Sequence, residues 1–279
     1  MYTIPTLPLQ IDLESKTVLR QLNLANKKLA ELKGVALTIP NESILINTLI
    51  LQEAKESSAV ENIITTHDDL YKADAGLTAF AVSSSTKEVV LYSDALKRGF
   101  DLIRNNKILS LNHIKEIQEV LEKNKAGFRK VPGTNLQNAR KEIVYFPPQR
   151  FDDIQCHMEN LVAYINDDTL SDVDPLIKLA IIHHQFESIH PFYDGNGRLG
   201  RFILSYCIAE KCESLSAYRI SETVKENIKD YYEAFRVCND PRNLGDLTPF
   251  LLMMLEMLLK AMQELVDGLQ RRKILLGRY

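Results

Sequence analysis

His190-Pro191-Phe192-Tyr193-Asp194-Gly195-Asn196-Gly197-Arg198-Leu199-Gly200-Arg201 is the stretch on which the reading of this chain turns. Polar chemistry and glycine are concentrated in it, with a strongly apolar helical pattern on either side. Upstream, Asp174-Pro175 reads as a helix start, and Leu176, Leu179, Ile182, Phe186 and Ile189 then recur at helical spacing. That helix should stop near Pro191. Downstream, Leu199, Phe202, Ile203, Tyr206 and Cys207 follow the i, i+3, i+4, i+7, i+8 order of a second helix, whose first turn falls at 197–201. The loop therefore feeds a helix N-terminus.

Such a terminus has amides without internal partners and a partial positive charge, so a Gly195-Asn196-Gly197 turn leading into it is suited to an anion. Gly195 and Gly197 allow close approach, and Asn196 adds an amide donor. Arg198 and Arg201, three apart on the emerging helix, supply two guanidinium forks, which suits a polyphosphate better than a single carboxylate. Asp194 would repel that ligand unless a hard cation lay between, and Mg²⁺ is commonly held by one or two carboxylates together with substrate phosphates. His190 is the nearest group able to exchange a proton near neutral pH. A plain helix–helix turn with surface arginines would explain the glycines but not the ordered His, Asp and Asn.

These residues resemble the signature of the Fic family, HPFx(D/E)GNGRxxR, and match every fixed position of it. The resemblance implies an all-α fold, a helical bundle with a small β-hairpin flap. It also implies an enzyme that transfers the AMP moiety of ATP to a Tyr, Ser or Thr hydroxyl of a target protein, releasing pyrophosphate. The enzyme itself is among the candidate targets. On this likeness His190 deprotonates the hydroxyl, Asp194 holds Mg²⁺ on the phosphates, and the Gly195-Asn196-Gly197 turn binds phosphate oxygens. Arg198 and Arg201 hold the outer phosphates, and Phe192 is a buried anchor.

A second motif acquires meaning only beside the first. In Ser57-Ser58-Ala59-Val60-Glu61-Asn62 the spacing puts Ser57 and Glu61 on one face of a helix, ordinarily a solvated one. The hexapeptide resembles the inhibitory (S/T)xxxE(G/N) motif of many Fic proteins, whose Glu pairs with the second motif arginine. Carried over, Glu61 pairs with Arg201 and blocks the outer phosphate of ATP, with Asn62 in the G/N position.

The remaining chain reads as scaffold. Residues 1–12, with Pro5 and Pro8, suggest an extended arm, and a charged helix follows, ending near Gly34. Asn41 can cap the next helix, 67–85 suggests a loop region with at most a short helix, and Thr86–Arg104 and Leu111–Leu121 read as helices, the latter capped near Ser110. From Gly127 to Pro148, short β-favouring pieces at 128–131 and 143–146 flank a polar turn and predict a hairpin. Fic enzymes carry such a flap to align the target segment. Phe151, Ile154, Met158, Leu161, Val162 and Ile165 make another amphipathic helix. His183 and His184 adjoin but point about 100° apart on a helix, with no metal-binding pattern around them, so core roles are expected. Ser221 can cap a helix through Val237 containing Tyr231-Tyr232, a pair that in Fic proteins often brings one ring near the adenine, with core packing the alternative for each. Thr248-Pro249 starts a long final helix.

A chain of 279 residues, 45% hydrophobic, can bury a full core, and a division at 105/106 is expected between an N-terminal helical region and a Fic catalytic core. The net charge of −3 argues against a broad basic field for nucleic acid. The four cysteines form no zinc or C-x-x-C spacing, and Phe250–Leu259 is too short and too charged to span a bilayer, so a cytoplasmic location without membrane partner is expected. Removal of AMP from modified protein, a nucleotide-sensing module without activity, and a homodimer all remain open alternatives.

Overall fold

The structure, a computed structural model, describes residues 3–38, 42–76, 82–138, 140–212 and 219–276. Its centre is α7 (Pro175–Ile189), which buries almost every side chain around its circumference, as a helix enclosed on all sides must. Asp174 caps it, accepting from the Leu176 amide at 2.8 Å, and Pro175 occupies the first turn where no amide is needed. α8 (Asn196–Cys212) returns along α7. α6 (Phe151–Asn166) and α11 (Thr248–Leu276) also pack on α7, and α1 (Lys16–Ala36) runs along α11. The N-terminal arm docks on this core: Ile4 and Leu7 are buried, and the Asn160 side chain bonds both the amide and the carbonyl of Leu7 at 2.8 Å.

α2 (Glu42–Val60) lies between α4 (Ser84–Asn106) and α9 (Ile220–Glu226). The capping role expected of Asn41 lies outside the described residues. Several boundaries differ from the sequence reading. α1 continues through Gly34 to Ala36, and α4 begins at Ser84 rather than Thr86; the region 67–85 does hold a short helix, α3 (His67–Asp74), capped by Thr66, with 77–81 outside the described residues. α5 (Leu111–Glu122) begins as expected with Ser110, reinforced by a capping box with His113. The hairpin pairs β1 (Leu136–Gln137) with β2 (Ile143–Tyr145). The piece at 128–131 is not a strand, because Phe128 is buried edge-on against Phe192, with ring centroids 5.1 Å apart, and Arg129 is drawn into the core. Ser221 does not start a helix either. It lies inside α9, which breaks at Asn227 before α10 (Ile228–Cys238).

Ser221 is spent on α2 instead. Its hydroxyl and amide both donate to the carboxyl of Glu53, which is fully buried. Burial raises the Glu53 carboxyl to about 7, against the lowering effect of the Ser221 bonds and of Arg201. A native carboxyl titrating above its unfolded value keeps its proton while the unfolded chain has lost it, so stability should fall as pH rises from about 4.5 to about 7. About 3 kcal/mol is at stake at 1.36 kcal/mol per unit. Glu53→Gln should remove most of this loss, and denaturant unfolding of both proteins at pH 5 and pH 8 checks it. Parallel losses in the two would assign the effect to another group.

Candidate active site

The loop between α7 and α8 is built from its own residues. His190 caps α7 in the left-handed region, at φ 50° and ψ 59°. Asn196 then holds the loop closed, its Oδ1 accepting from the Phe192 amide and its Nδ2 donating to the Phe192 carbonyl, both at 2.9 Å. Its side-chain amide is therefore not the free donor that the sequence suggested. Phe192 is fully buried, and Gly195 takes φ 77°, which a side chain would resist. The Leu199 amide reaches the Gly195 carbonyl at 2.9 Å, so the amides of Asn196, Gly197 and Arg198 precede the first intrahelical bond of α8. A cavity of about 370 Å³ opens over this turn, lined among others by Glu61, Glu122, His190, Asp194, Gly197 and Arg198.

Carboxylates engage both arginines. Arg201 is fully buried. Its Nε donates to Ser57 Oγ at 2.8 Å, and one Nη donates to the Ser57 carbonyl at 2.9 Å and to Glu61 Oε1 at 2.8 Å. Burial works against the guanidinium's charge, but Glu61, aided by Tyr231 and Tyr92, outweighs it and raises the Arg201 pKa. A Cβ on Gly197 would collide with the Glu61 carboxylate, so that carboxylate presses on the turn itself. Asn62 ends this segment at φ 62°, and the amides of Glu61, Asn62 and Ile63 bond back to the carbonyls of Ser58 and Ala59 at 3.0 Å. The backbone there needs a residue that tolerates the left-handed region, which accounts for Gly or Asn after the Glu.

Arg198 has a partner that the sequence did not indicate. Glu122, at the end of α5, accepts from an Arg198 Nη at 2.7 Å, and its Oε1 would lie 2.6 Å from a Cβ on Gly195. Nothing in the order of residues announces this pair, which spans separate elements. Glu187 was also missed. Its Oε1 is buried without a hydrogen bond among the described residues, and burial raises its carboxyl to about 7, against the lowering by Arg201.

His190 is the one imidazole lining the cavity among the described residues. Burial, then the nearby Arg129 guanidinium, push it down to about 4, against the raising effect of Glu61 and Asp194, so it is neutral at physiological pH. Asp194 is exposed at the cavity wall, with its Oδ1 accepting from the Gly195 amide at 2.8 Å. Among the described residues no three His, Cys, Asp or Glu side chains are placed to hold a metal. The donor set nevertheless fits a cation completed by ligand oxygens. Asp194, Glu61, Glu88 and Glu122 all face a cavity whose lining includes the single guanidinium of Arg198.

The Tyr pair divides. Tyr231 is buried and its hydroxyl lies 2.7 Å from His183 Nε2, in an aromatic cluster with Phe235 and Phe250. Tyr232 is 53% exposed. Tyr193 of the loop ties to the segment leading into the flap, its hydroxyl accepting from the amides of Lys130 and Val131 at 2.9 and 3.1 Å, and Tyr145 of the flap ties to α7, its hydroxyl donating to the Ser188 carbonyl at 2.9 Å.

Comparison with known proteins agrees with this architecture. A family model described as Fic/DOC family N-terminal matches residues 19–101, and one described as Fic/DOC family matches residues 108–208. The protein adenylyltransferase fic-1 of Caenorhabditis elegans is 28% identical over 150 residues, 52% of this chain and 28% of that protein. The protein adenylyltransferase Fic of Drosophila erecta is 26% identical over 98 residues, 35% of this chain and 18% of that protein. The match thus spans less than a third of the length of either relative. Among solved structures, a Fic family protein from Desulfovibrio desulfuricans G20 superposes with a TM-score of 0.75 at 21% identity, covering 94% of this chain and 76% of that one. A Fic domain containing signaling protein from Bacteroides thetaiotaomicron VPI-5482 gives 0.69 at 17% identity, covering 88% and 97%. With the motif loop, the helical architecture and both family models in agreement, the chain belongs to the Fic/DOC family.

Proposed function

We propose that this protein transfers the AMP moiety of ATP to a hydroxyl side chain of a protein target, and that Glu61 restrains the reaction by occupying Arg201. One observation carries the reading: a neutral His190 shares a cavity with the start of α8, while the nearby Arg201 is held by a carboxylate. The relatives named as protein adenylyltransferases support the reaction class. In the proposed reaction the target hydroxyl attacks the α-phosphorus, His190 accepts its proton, and pyrophosphate departs. The amides at the start of α8 hold phosphate oxygens, as do Arg198 and Arg201 once Glu122 and Glu61 give way. Tyr232, the exposed member of the pair, is the better candidate to face the adenine, with Tyr231 behind it.

Asp194 would hold Mg²⁺ together with the phosphates. Bound there, the ion supplies charge neutralisation on the phosphate oxygens. Asp194→Asn keeps the size and removes the charge, so it should raise the Mg²⁺ concentration needed for half-maximal transfer with little effect on folding. An unchanged Mg²⁺ titration would exclude this role. The division near residue 105 is supported by family models that end at 101 and begin at 108. The four cysteines, spaced as neither a C-x-x-C pair nor a zinc set, suit a reducing compartment, and we assign the protein to the cytoplasm on that basis.

Glu61 lines the same cavity as His190, which favours one second reading: removal of AMP, with Glu61 orienting a water. Incubation with α-labelled ATP and Mg²⁺ in whole lysate, alongside a target carrying pre-installed label, separates the two. Label appearing on protein supports transfer, loss of the pre-installed label supports removal, and neither leaves a nucleotide-sensing module.

A further inference from the structure

Arg129 and Arg201 are the two largest fully buried side chains among the described residues, and their surroundings are opposite. Arg201 meets Glu61. Arg129, just before the flap, makes no ion pair among the described residues and gives its protons to main-chain carbonyls. Nε donates to His190 at 2.8 Å, and one Nη donates to Ile189 at 3.3 Å and to Pro148. Its own amide donates to the Pro191 carbonyl at 2.9 Å, and Nη1 is buried with no partner. A buried cation without a counter-charge is costly, so adhesion between the flap and α7 alone would be better served by a neutral amide.

Two properties of His190 match what such a cation supplies. Its backbone is left-handed, a conformation that a non-glycine residue holds only when its surroundings impose it, and Arg129 Nε grips the carbonyl of that residue. The second is electrostatic. After burial, Arg129 is the strongest influence lowering the imidazole's affinity for a proton; facing it are Glu61 from the end of α2, the main chain of Glu187 on α7, and Asp194 in the loop, all acting the other way.

We propose that Arg129 is the positioning residue of the site: it clamps the backbone of His190 through Nε and sets an uncompensated positive charge near the imidazole, so that the base stands aligned and unprotonated before substrate arrives. The inference rests on the reading of His190 as the base. It identifies a side chain that touches neither nucleotide nor target and acts only through His190.

The test follows the His190 Cε1–H resonance through a pH titration of the full chain with labelled histidine, assigned by its disappearance in His190→Ala. In the wild type the ring should stay neutral well below its ordinary midpoint of about 6.5. Arg129→Gln removes the charge and should raise the midpoint by at least about one pH unit, whereas Arg129→Lys retains the charge and should leave the midpoint low. Both variants lose the fork on the carbonyls and should lower kcat for transfer by roughly 100-fold, with KM for ATP nearly unchanged. A wild-type midpoint near 6.5, or equal midpoints in wild type and Arg129→Gln, would overturn the proposal. Even if the variants do not fold, the wild-type titration can still overturn the proposal, because a midpoint near 6.5 is incompatible with it. Since it requires no turnover, a displaced midpoint in a protein that transfers nothing would count against the functional reading and leave the Arg129–His190 coupling standing.

Discussion

Replacing His190 with alanine is expected to lower the rate of AMP transfer by roughly 10² to 10⁴, the usual cost of losing a general base. Binding of ATP should survive, because the groups proposed to hold phosphate lie on α8 and the Nδ1 of His190 has no hydrogen-bond partner among the described residues. The loop is held by Asn196 and by the Arg129 bonds to carbonyls, which alanine leaves intact. Labelled product per minute at saturating ATP, together with nucleotide affinity measured separately, checks both halves, and a rate within about threefold of the parent would remove His190 from the mechanism. The wild-type profile carries a further mark. A base pushed down to about 4 is in its reactive form from there upward, so activity should hold across pH 5 to 8 and fall only as pH approaches 4.

The opposite sign is expected at Glu61. Glu61→Gly deletes the carboxylate that engages Arg201 at 2.8 Å and that lies against Gly197, so the guanidinium becomes free for a phosphate oxygen. A charge-assisted hydrogen bond contributes about 1.5 to 3 kcal/mol, equivalent to roughly 10- to 150-fold if it acts on the transition state. Transfer, self-modification included, should rise by at least the lower figure. Arg201→Ala should cancel the gain, and the double variant should behave like Arg201→Ala alone, because the two changes act through one contact. Equal rates for wild type and Glu61→Gly would exclude inhibition by Glu61. Faster loss of pre-installed AMP in the wild type than in Glu61→Gly would favour the demodifying reading.

The motif loop was legible in the sequence because its chemistry is local. Proline, glycine and an N-cap mark the ends of α7 and α8, and an apolar period fills the helices between. What stayed hidden depends on partners distant in the chain. Asn196 reads as a free donor until Phe192 is seen on both ends of its amide, and Arg198 reads as open until Glu122 arrives from α5. Ser221 carries every local mark of an N-cap, yet a buried carboxyl from α2 claims it. Phe128 and Arg129 have the composition of a strand, but burial against Phe192 and the main chain of α7 outweighs that preference, and pairing begins only at Leu136.

The way α2 ends bears on how the proposed restraint by Glu61 would be lifted. The body of the helix is clamped: Glu53, Ala54, Ser57 and Ser58 are buried, and Glu56 bridges Lys55 and Lys225. Beyond Val60 the chain is exposed at Glu61 and Asn62, and three amides returning to Ser58 and Ala59 close the final turn. In the language of amide exchange, these amides belong to an opening that uncovers little apolar surface, while those in the middle of α2 open only with the packing of α4 and α9. Glu61 can therefore leave Arg201 by fraying one turn, on the timescale of local fluctuation, with the helix that carries it still in place. If Glu61 restrains transfer as proposed, a partner that stiffens that turn would keep transfer low, and one that draws out Asn62 would raise it, without either touching the nucleotide.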